Sequence, residues 1–251
     1  MNFYSQYPRY TQTAEVVIRN YNNILDGLEK YRKNNRLIEI GCGEGFFLEQ
    51  ARKRNWEVYG TELSPEAIQI CASKNLNVKS SVDQFGIKVE EAFDIVVSIE
   101  VIEHLPYPLK EAQLYSQLLR PGGALYVTTP NFNSISRRVL GEKWSIILYP
   151  EHLIYYSPQS LKYLLKKFGI QPVNIKTEGI SPARFIYTYK KNKASTQAEA
   201  SHYNYNEVDR NLRNQIEQNR LLKIAKSIVN YILRITASGD SMKALFEKPG
   251  K

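Results

Sequence analysis

"RLIEIGCGEGFFLEQARKR", Arg36 to Arg54, decides how the rest of the chain reads. "RLIEIG" (36–41) is a short apolar strand, and "EGFFLEQARKR" (44–54) follows with helical spacing. Between them Gly41, Gly43 and Gly45 allow a tight bend and let the backbone lie against a ligand. The next strand, "WEVYGTEL" (56–63), carries Glu62, 21 residues beyond Gly41. A carboxylate there can accept hydrogen bonds from both ribose hydroxyls of a nucleoside. "GCGEG" is tighter than a dinucleotide fingerprint, and Glu39 stands on the strand just before it. A carboxylate in that place repels a pyrophosphate and attracts a cation. The expected ligand is a nucleoside that carries positive charge.

The alternation continues outward from this turn. "SPEAIQICASK" (64–74) is a helix with Ser64 as N-cap and Pro65 at its first position. "LNVKSS" is a weak third strand and "FDIVVSI" (93–99) a strong fourth one, apolar on both faces. "LKEAQLYSQLL" (109–119) is a helix closed by an "RPGG" turn, and "ALYVTTP" (124–130) is the fifth strand. Strand and helix in alternation predict an α/β fold, a doubly wound, mostly parallel sheet. A long irregular stretch follows Pro130, of the kind that is usually functional. A helix then opens at Ser157 and Pro158 and stops at Gly169, and "QPVNIKTEG" (171–179) reads as a sixth strand. Residues 190–206 are polar and low in aliphatics; 207–236 read as a long helix and "DSMKALFEK" (240–248) as a last strand. The division expected is a helical cap (1–35), a core (36–180), a linker with a helical insertion (181–239) and a strand completing the sheet (240–251).

At 251 residues and 43% hydrophobic content the chain supports a real core. It holds no run long enough to span a membrane, and "MNFYSQYPRY" lacks the apolar stretch of a secretory signal. Two cysteines make no disulfide framework, so a cytoplasmic setting is expected. The net charge of +9 permits nucleic acid or anionic lipid as a partner without requiring either.

In order and spacing, "LIEIGCGEGFFLEQ", "VYGTELS", "FDIVVSIEVIEHLPYP" and "LRPGGALYVTTPN" resemble the motifs of class I S-adenosylmethionine-dependent methyltransferases, across residues 36–180. The resemblance implies a Rossmann-like, seven-stranded sheet whose last strand is antiparallel. It implies that Glu39, Gly41, Cys42 and Gly43 face the methionine part of S-adenosylmethionine and that Glu62 binds the ribose. Leu63 would pack on adenine, with Val82 or Asp83 at its edge, and Ile99 and Glu100 would flank the sulfur. The product would be S-adenosylhomocysteine.

"IEVIEHLP" (99–106) puts Glu100, Glu103 and His104 at the carboxyl end of the fourth strand. Within one helical turn they would share a face. Together with His152 of "PEHL" they can hold a divalent ion, Mg or Mn, that acidifies a substrate hydroxyl. This pattern is similar to that of ubiquinone-pathway O-methyltransferases and of small-RNA 2′-O-methyltransferases. Alternatively His104 or His152 acts as a metal-free general base, since imidazole changes charge near neutral pH. The loop bearing Trp144, Tyr149, His152, Tyr155 and Tyr156 can line an acceptor pocket.

The late helix sets Leu221, Ile224, Ile228, Ile232 and Ile235 on one stripe, opposite Lys223, Lys226, Asn230 and Arg234. That stripe is expected to dock on its own domain or on a sister subunit, in a monomer or homodimer; peripheral contact with an anionic membrane also suits it. The expected activity is O-methylation of a sugar, glycan or small metabolite. RNA 2′-O-methylation, which no recognisable RNA-binding module supports, and N-methylation of a small molecule or peptide are the alternatives. A non-catalytic cofactor-binding subunit is disfavoured by the intact motif and nearby histidines.

Overall fold

The computed structural model describes residues 15–86, 93–182, 185–186 and 219–250. The start of the expected cap, the polar stretch 190–206 and the first part of the late helix lie outside the described residues. Seven strands form one sheet: β1 (Arg36–Ile40), β2 (Glu57–Thr61), β3 (Asn77–Lys79), β4 (Phe93–Ile99), β5 (Leu119–Pro130), β6 (Gln171–Glu178) and β7 (Ser241–Glu247). Their order is β3-β2-β1-β4-β5-β7-β6. Strands β1 to β5 pair in parallel. β7 runs antiparallel to β5: Gly122 N–H donates to Lys248 O (2.7 Å) near one end, and Asn131 N–H to Asp240 O (2.8 Å) near the other. The helices are α1 (Glu15–Leu28), α2 (Phe46–Lys53), α3 (Pro65–Ser73), α4 (Pro108–Leu118), α5 (Ile135–Leu140), α6 (Pro158–Lys166) and α7 (Arg220–Ile235). The chain forms two compact units: one of the described residues up to Thr128 with Leu161–Asn174 and those from Ala244 on, the other of Thr129–Ser160 with the described part of Ile175–Lys243.

In the first unit α1 and α2 cover β1. Leu25 and Leu28 of α1, Phe47 and Leu48 of α2, and Leu37, Ile95 and Val97 of the strands bury together. Ser64 caps α3 as its sequence promises, its hydroxyl accepting from Ala67 N–H at 3.3 Å. "RPGG" is not a turn after α4. α4 passes directly into β5, and Arg120–Gly123 form an irregularity inside the strand: Phe93 aligns with Leu119, but Ile95 aligns with Ala124. A Cβ on Gly123 would stand 2.9 Å from Arg120 O and 3.0 Å from Asp94 O, so the bulge needs glycine there.

The bulge serves a buried charge. Asp94, fully buried at the start of β4, accepts from the Lys33 (2.9 Å), Asn34 (2.8 Å) and Asn35 (2.7 Å) amides and from Arg120 Nε. Burial pushes its carboxyl up, but the Lys33 and Asn34 amides and the Arg120 guanidinium outweigh it and hold the pKa below the ordinary value. Arg120 goes on to donate to Tyr31 O at 2.6 Å. The latch thereby joins the loop before β1 to β4 and β5.

In the second unit α7 departs from its amphipathic pattern. Its polar side, not its apolar stripe, meets the rest of the unit. Asn230 Oδ1 accepts from Gly179 N–H (2.9 Å), Arg234 Nη2 pairs with Glu178 Oε2 (2.9 Å), and the buried Leu233 offers its carbonyl to Thr177 Oγ1 (2.8 Å). The end of β6 presents polar groups to the helix, so the helix turns its polar side inward.

Asp94→Ala is expected to lower folding stability by about 3–5 kcal/mol in urea titration, because Arg120 is left without its buried partner. A group whose folded pKa is depressed contributes stability above its unfolded value, and loses that contribution as pH falls through the folded one. The variant should therefore lose less stability than the wild type on going from pH 7 to pH 3. Parallel stability curves for the two would contradict the assignment.

Candidate functional site

The sheet order reverses direction between β1 and β4, the switch point where a doubly wound sheet opens a crevice at its carboxyl edge. The turn after β1 lies there. Gly41, Gly43 and Gly45 all have left-handed backbone (φ 69°, 52° and 77°). A Cβ on Gly41 would lie 2.6 Å from Val101 Cγ2, so a side chain is excluded for space as well as for φ. Gly45 is the N-cap of α2 and offers no side chain to cap it.

Glu62 is held by this turn and by its own strand end. Its Oε2 accepts from Gly43 N–H at 2.9 Å, and its Oε1 from Leu63 N–H (2.8 Å) and Ser64 N–H (2.9 Å). Three amides thus fix the carboxylate before any ligand arrives. Leu63, next to it, is 62% exposed. Val82 is buried and Asp83 exposed on the short 3-10 turn Val82–Phe85 that follows β3. The thiols of Cys42 and Cys71 both approach Gly43 O, at 3.8 and 3.3 Å, and brace the turn from beneath.

Glu39 is the unusual group. It is buried on β1, and its Oε2 has no hydrogen-bond partner among the described residues. Burial, then the neighbouring Cys71 and Glu62, hold its carboxyl well above the ordinary carboxylate range. Tyr21 of α1, stacked edge-on against Phe47 (5.4 Å), feels the same charge: burial and Glu39 push its hydroxyl up to about 12. Sequence reading missed Tyr21, since it stands in a polar, tyrosine-rich helix with no spacing that ties it to β1. A buried carboxylate with an open oxygen beside a glycine turn fits a ligand that brings an ammonium or sulfonium.

The segment after β4 differs from the single helical turn expected of it. Glu100 is exposed, in a left-handed conformation (φ 53°) rare for a residue with a side chain, and its amide donates to Thr128 O (3.0 Å). Only Ile102–His104 are helical, as one 3-10 turn. Glu100 therefore does not share a helical face with Glu103 and His104. Those two stand together, with Glu103 buried and its Oε1 4.0 Å from His104 Nε2.

His152 belongs to the second unit. Its Nδ1 lies 2.8 Å from Ile146 O, so in the neutral ring Nδ1 carries the proton. Tyr155 packs edge-on against it at 6.2 Å, and Trp144 is buried in the same loop, while Tyr149 is exposed. Asn131 of "TPN" is spent on structure: its Nδ2 donates to Ala237 O (3.0 Å) and Gly239 O (2.8 Å), and its Oδ1 accepts from Asn133 N–H (3.0 Å).

A family model described as a methyltransferase domain matches residues 11–175, and the chain belongs to that family. Together with the fold, this makes it a class I S-adenosylmethionine-dependent methyltransferase. It is 27% identical over 165 residues to the ubiquinone biosynthesis O-methyltransferase of Cereibacter sphaeroides, a match spanning 61% of this chain and 67% of the relative. A methyltransferase structure from Archaeoglobus fulgidus superposes with a TM-score of 0.60 over 93% of this chain and 94% of the other, at 18% identity. The phosphoethanolamine N-methyltransferase 2 of Haemonchus contortus, solved with S-adenosylmethionine, gives 0.54 at 18% identity, over 93% of this chain and 53% of its own.

If Glu62 is the ribose acceptor, Glu62→Ala weakens S-adenosylhomocysteine binding by about 1.5–3 kcal/mol, the range for hydrogen bonds to a charged group. Isothermal calorimetry measures this directly. Wild-type affinity in the variant would take Glu62 out of the cofactor site.

Proposed function

We propose that this methyltransferase acts on a hydroxyl oxygen of a small metabolite, with His104 as the general base. The observation that carries the proposal is the pairing of His104 with the buried Glu103 on the turn that follows β4. A buried carboxylate beside an imidazole can orient the ring toward a substrate hydroxyl. O-methylation is also what the name of the Cereibacter sphaeroides relative states of that protein. When bound, S-adenosylmethionine supplies a methyl group already activated by its sulfonium leaving group.

The residues of this chain would divide the remaining work. Glu39 would balance the positive charge of the cofactor, Gly41, Cys42 and Gly43 would give it backbone room, and Glu62 and Leu63 would fix the nucleoside, with Val82 and Asp83 at the adenine edge. Ile99 and Glu100 would border the reacting carbon. Catalysis would then rest mainly on holding the acceptor oxygen in line with the methyl group. His104 would accept the hydroxyl proton as the new O–C bond forms, and Glu103 would stabilise the resulting imidazolium. His152, its tautomer fixed by Ile146 O, is the alternative base.

A second reading keeps the same two residues but gives them a divalent cation, Mg or Mn. The buried Glu103 oxygen and the His104 nitrogen are a hard–borderline ligand pair suited to such an ion. Glu100 and His152 are the further ligands named by the sequence pattern. The ion would lower the pKa of the hydroxyl in place of the base.

Turnover on a panel of phenolic, sugar and RNA 3′-terminal hydroxyls separates the readings. With His104 as base, His104→Ala lowers kcat by about 100- to 10,000-fold without weakening S-adenosylhomocysteine binding. Under the same reading a chelator changes nothing. Loss of activity on chelation, restored by Mn²⁺ or Mg²⁺, would establish the metal reading instead. Wild-type turnover by His104→Ala and by His152→Ala would overturn both. Activity confined to RNA termini would overturn the small-metabolite acceptor.

A further inference from the structure

The chain has two cysteines, and the fold brings both to one carbonyl oxygen. Cys42 stands in the glycine turn after β1, and Cys71 near the end of α3. Their sulfurs lie 3.8 and 3.3 Å from Gly43 O, and the two thiols also hydrogen-bond each other. Two glycines leave the sulfurs their room: a Cβ on Gly60 would stand 2.8 Å from Cys42 Sγ, and one on Gly45 3.0 Å from Cys71 Sγ. The bond with Cys42 and the Lys74 ammonium hold the Cys71 thiol below its ordinary value against its burial, while the same bond, then burial, push the Cys42 thiol up. Cys71 is thus the sulfur that ionises first, with a second thiol in contact with it.

Gly43 is where such a pair can act on the site. Its N–H holds Glu62 Oε2 at 2.9 Å, and its carbonyl faces both sulfurs. A disulfide draws the sulfurs from non-bonded contact to about 2.05 Å and removes both S–H groups, so Gly43, which orients Glu62, must shift. We propose that Cys42 and Cys71 form a reversible disulfide that weakens cofactor binding. Cys71 is fully buried and Cys42 7% exposed, so the oxidant has to be small, and a peroxide suits. Cys71 gives up its proton and attacks a peroxide oxygen; the O–O bond breaks, and a sulfenic acid and water form. Cys42 gives up its proton and attacks that sulfur; the S–S bond forms and a second water leaves. The two sulfurs lose two electrons, which the peroxide takes up.

The loss of affinity rests on the reading of Glu62 as ribose acceptor; formation of the disulfide does not. The full chain, treated with hydrogen peroxide and quenched in acid, is expected to lose the mass of two hydrogens and to yield a peptide joining Cys42 to Cys71. Calorimetry should show S-adenosylhomocysteine binding the oxidised protein at least about tenfold more weakly, the scale of one hydrogen bond to a charged group. Dithiothreitol should restore the affinity. By reciprocity, saturating S-adenosylhomocysteine should move the dithiol–disulfide equilibrium in a dithiothreitol redox buffer toward the dithiol by the same factor. Cys71→Ser retains a hydroxyl facing Gly43 O, and its affinity, whatever its value, should be the same before and after peroxide. An unchanged mass, or a gain of oxygen in place of the loss of hydrogen, would overturn the proposal. So would an equal loss of affinity in Cys71→Ser, which would place the oxidation elsewhere. A disulfide that leaves the affinity unchanged, while Glu62→Ala lowers it, would overturn the control of binding and spare the reading of Glu62.

Discussion

The Glu39 carboxylate lies buried at the end of β1 with one oxygen open, and the surrounding turn makes sense only in relation to it. A lone anion in a low-dielectric interior is costly, and the protein's own means of removing the cost is to keep the group protonated. A ligand cation offers a second means. The left-handed glycines that follow keep side chains out of the space such a ligand needs; at Gly41 even a methyl group would strike Val101. Glu62, tied to the Gly43, Leu63 and Ser64 amides, fixes the other end of the same turn. The site is thus preorganised in its hydrogen bonding and left incomplete in its charge.

Asp94 makes the contrast plain. It is as buried as Glu39, and its oxygens meet three backbone amides and a guanidinium, so its carboxyl is held low while that of Glu39 is held high. A saturated buried carboxylate fastens the base of β4; a buried carboxyl with an open oxygen stands at the end of β1. β4 runs from the fastened end to the strained Glu100 and the Glu103–His104 pair.

Much of this was legible in sequence because its signals are local. The glycine triplet, Glu39 before it and Glu62 at the end of the next strand lie within one strand–helix–strand passage, and the parallel sheet follows from the alternation of strand and helix. Signals that depend on distant partners were not legible. Asp94 takes its meaning from amides some sixty residues earlier and from Arg120. "RPGG" reads as a turn because glycine and proline usually make one; here they shape a bulge that aims Arg120 at Asp94. "EVIEH" has helical spacing, but the amide of Glu100 is drawn to Thr128 and its backbone leaves the helical region before the turn begins. α7 shows a clear apolar stripe, yet Glu178 and Gly179 decide which side faces inward.

The central claim is that the Glu39 carboxyl, held well above the ordinary carboxylate range without ligand, gives up its proton more readily beside a bound cation. With a folded pKa raised above the ordinary 4.5, the ionised form destabilises the ligand-free protein increasingly as pH rises from that value toward the folded one. Binding of a ligand that sets its ammonium group beside Glu39 should therefore release a proton. Calorimetric titration of S-adenosylhomocysteine near pH 6, in two buffers of different ionisation enthalpy, measures this most directly. The account predicts an apparent enthalpy that differs between the buffers by the amount due to proton release, with the difference abolished in Glu39→Gln. Identical heats in both buffers for the wild type would contradict it.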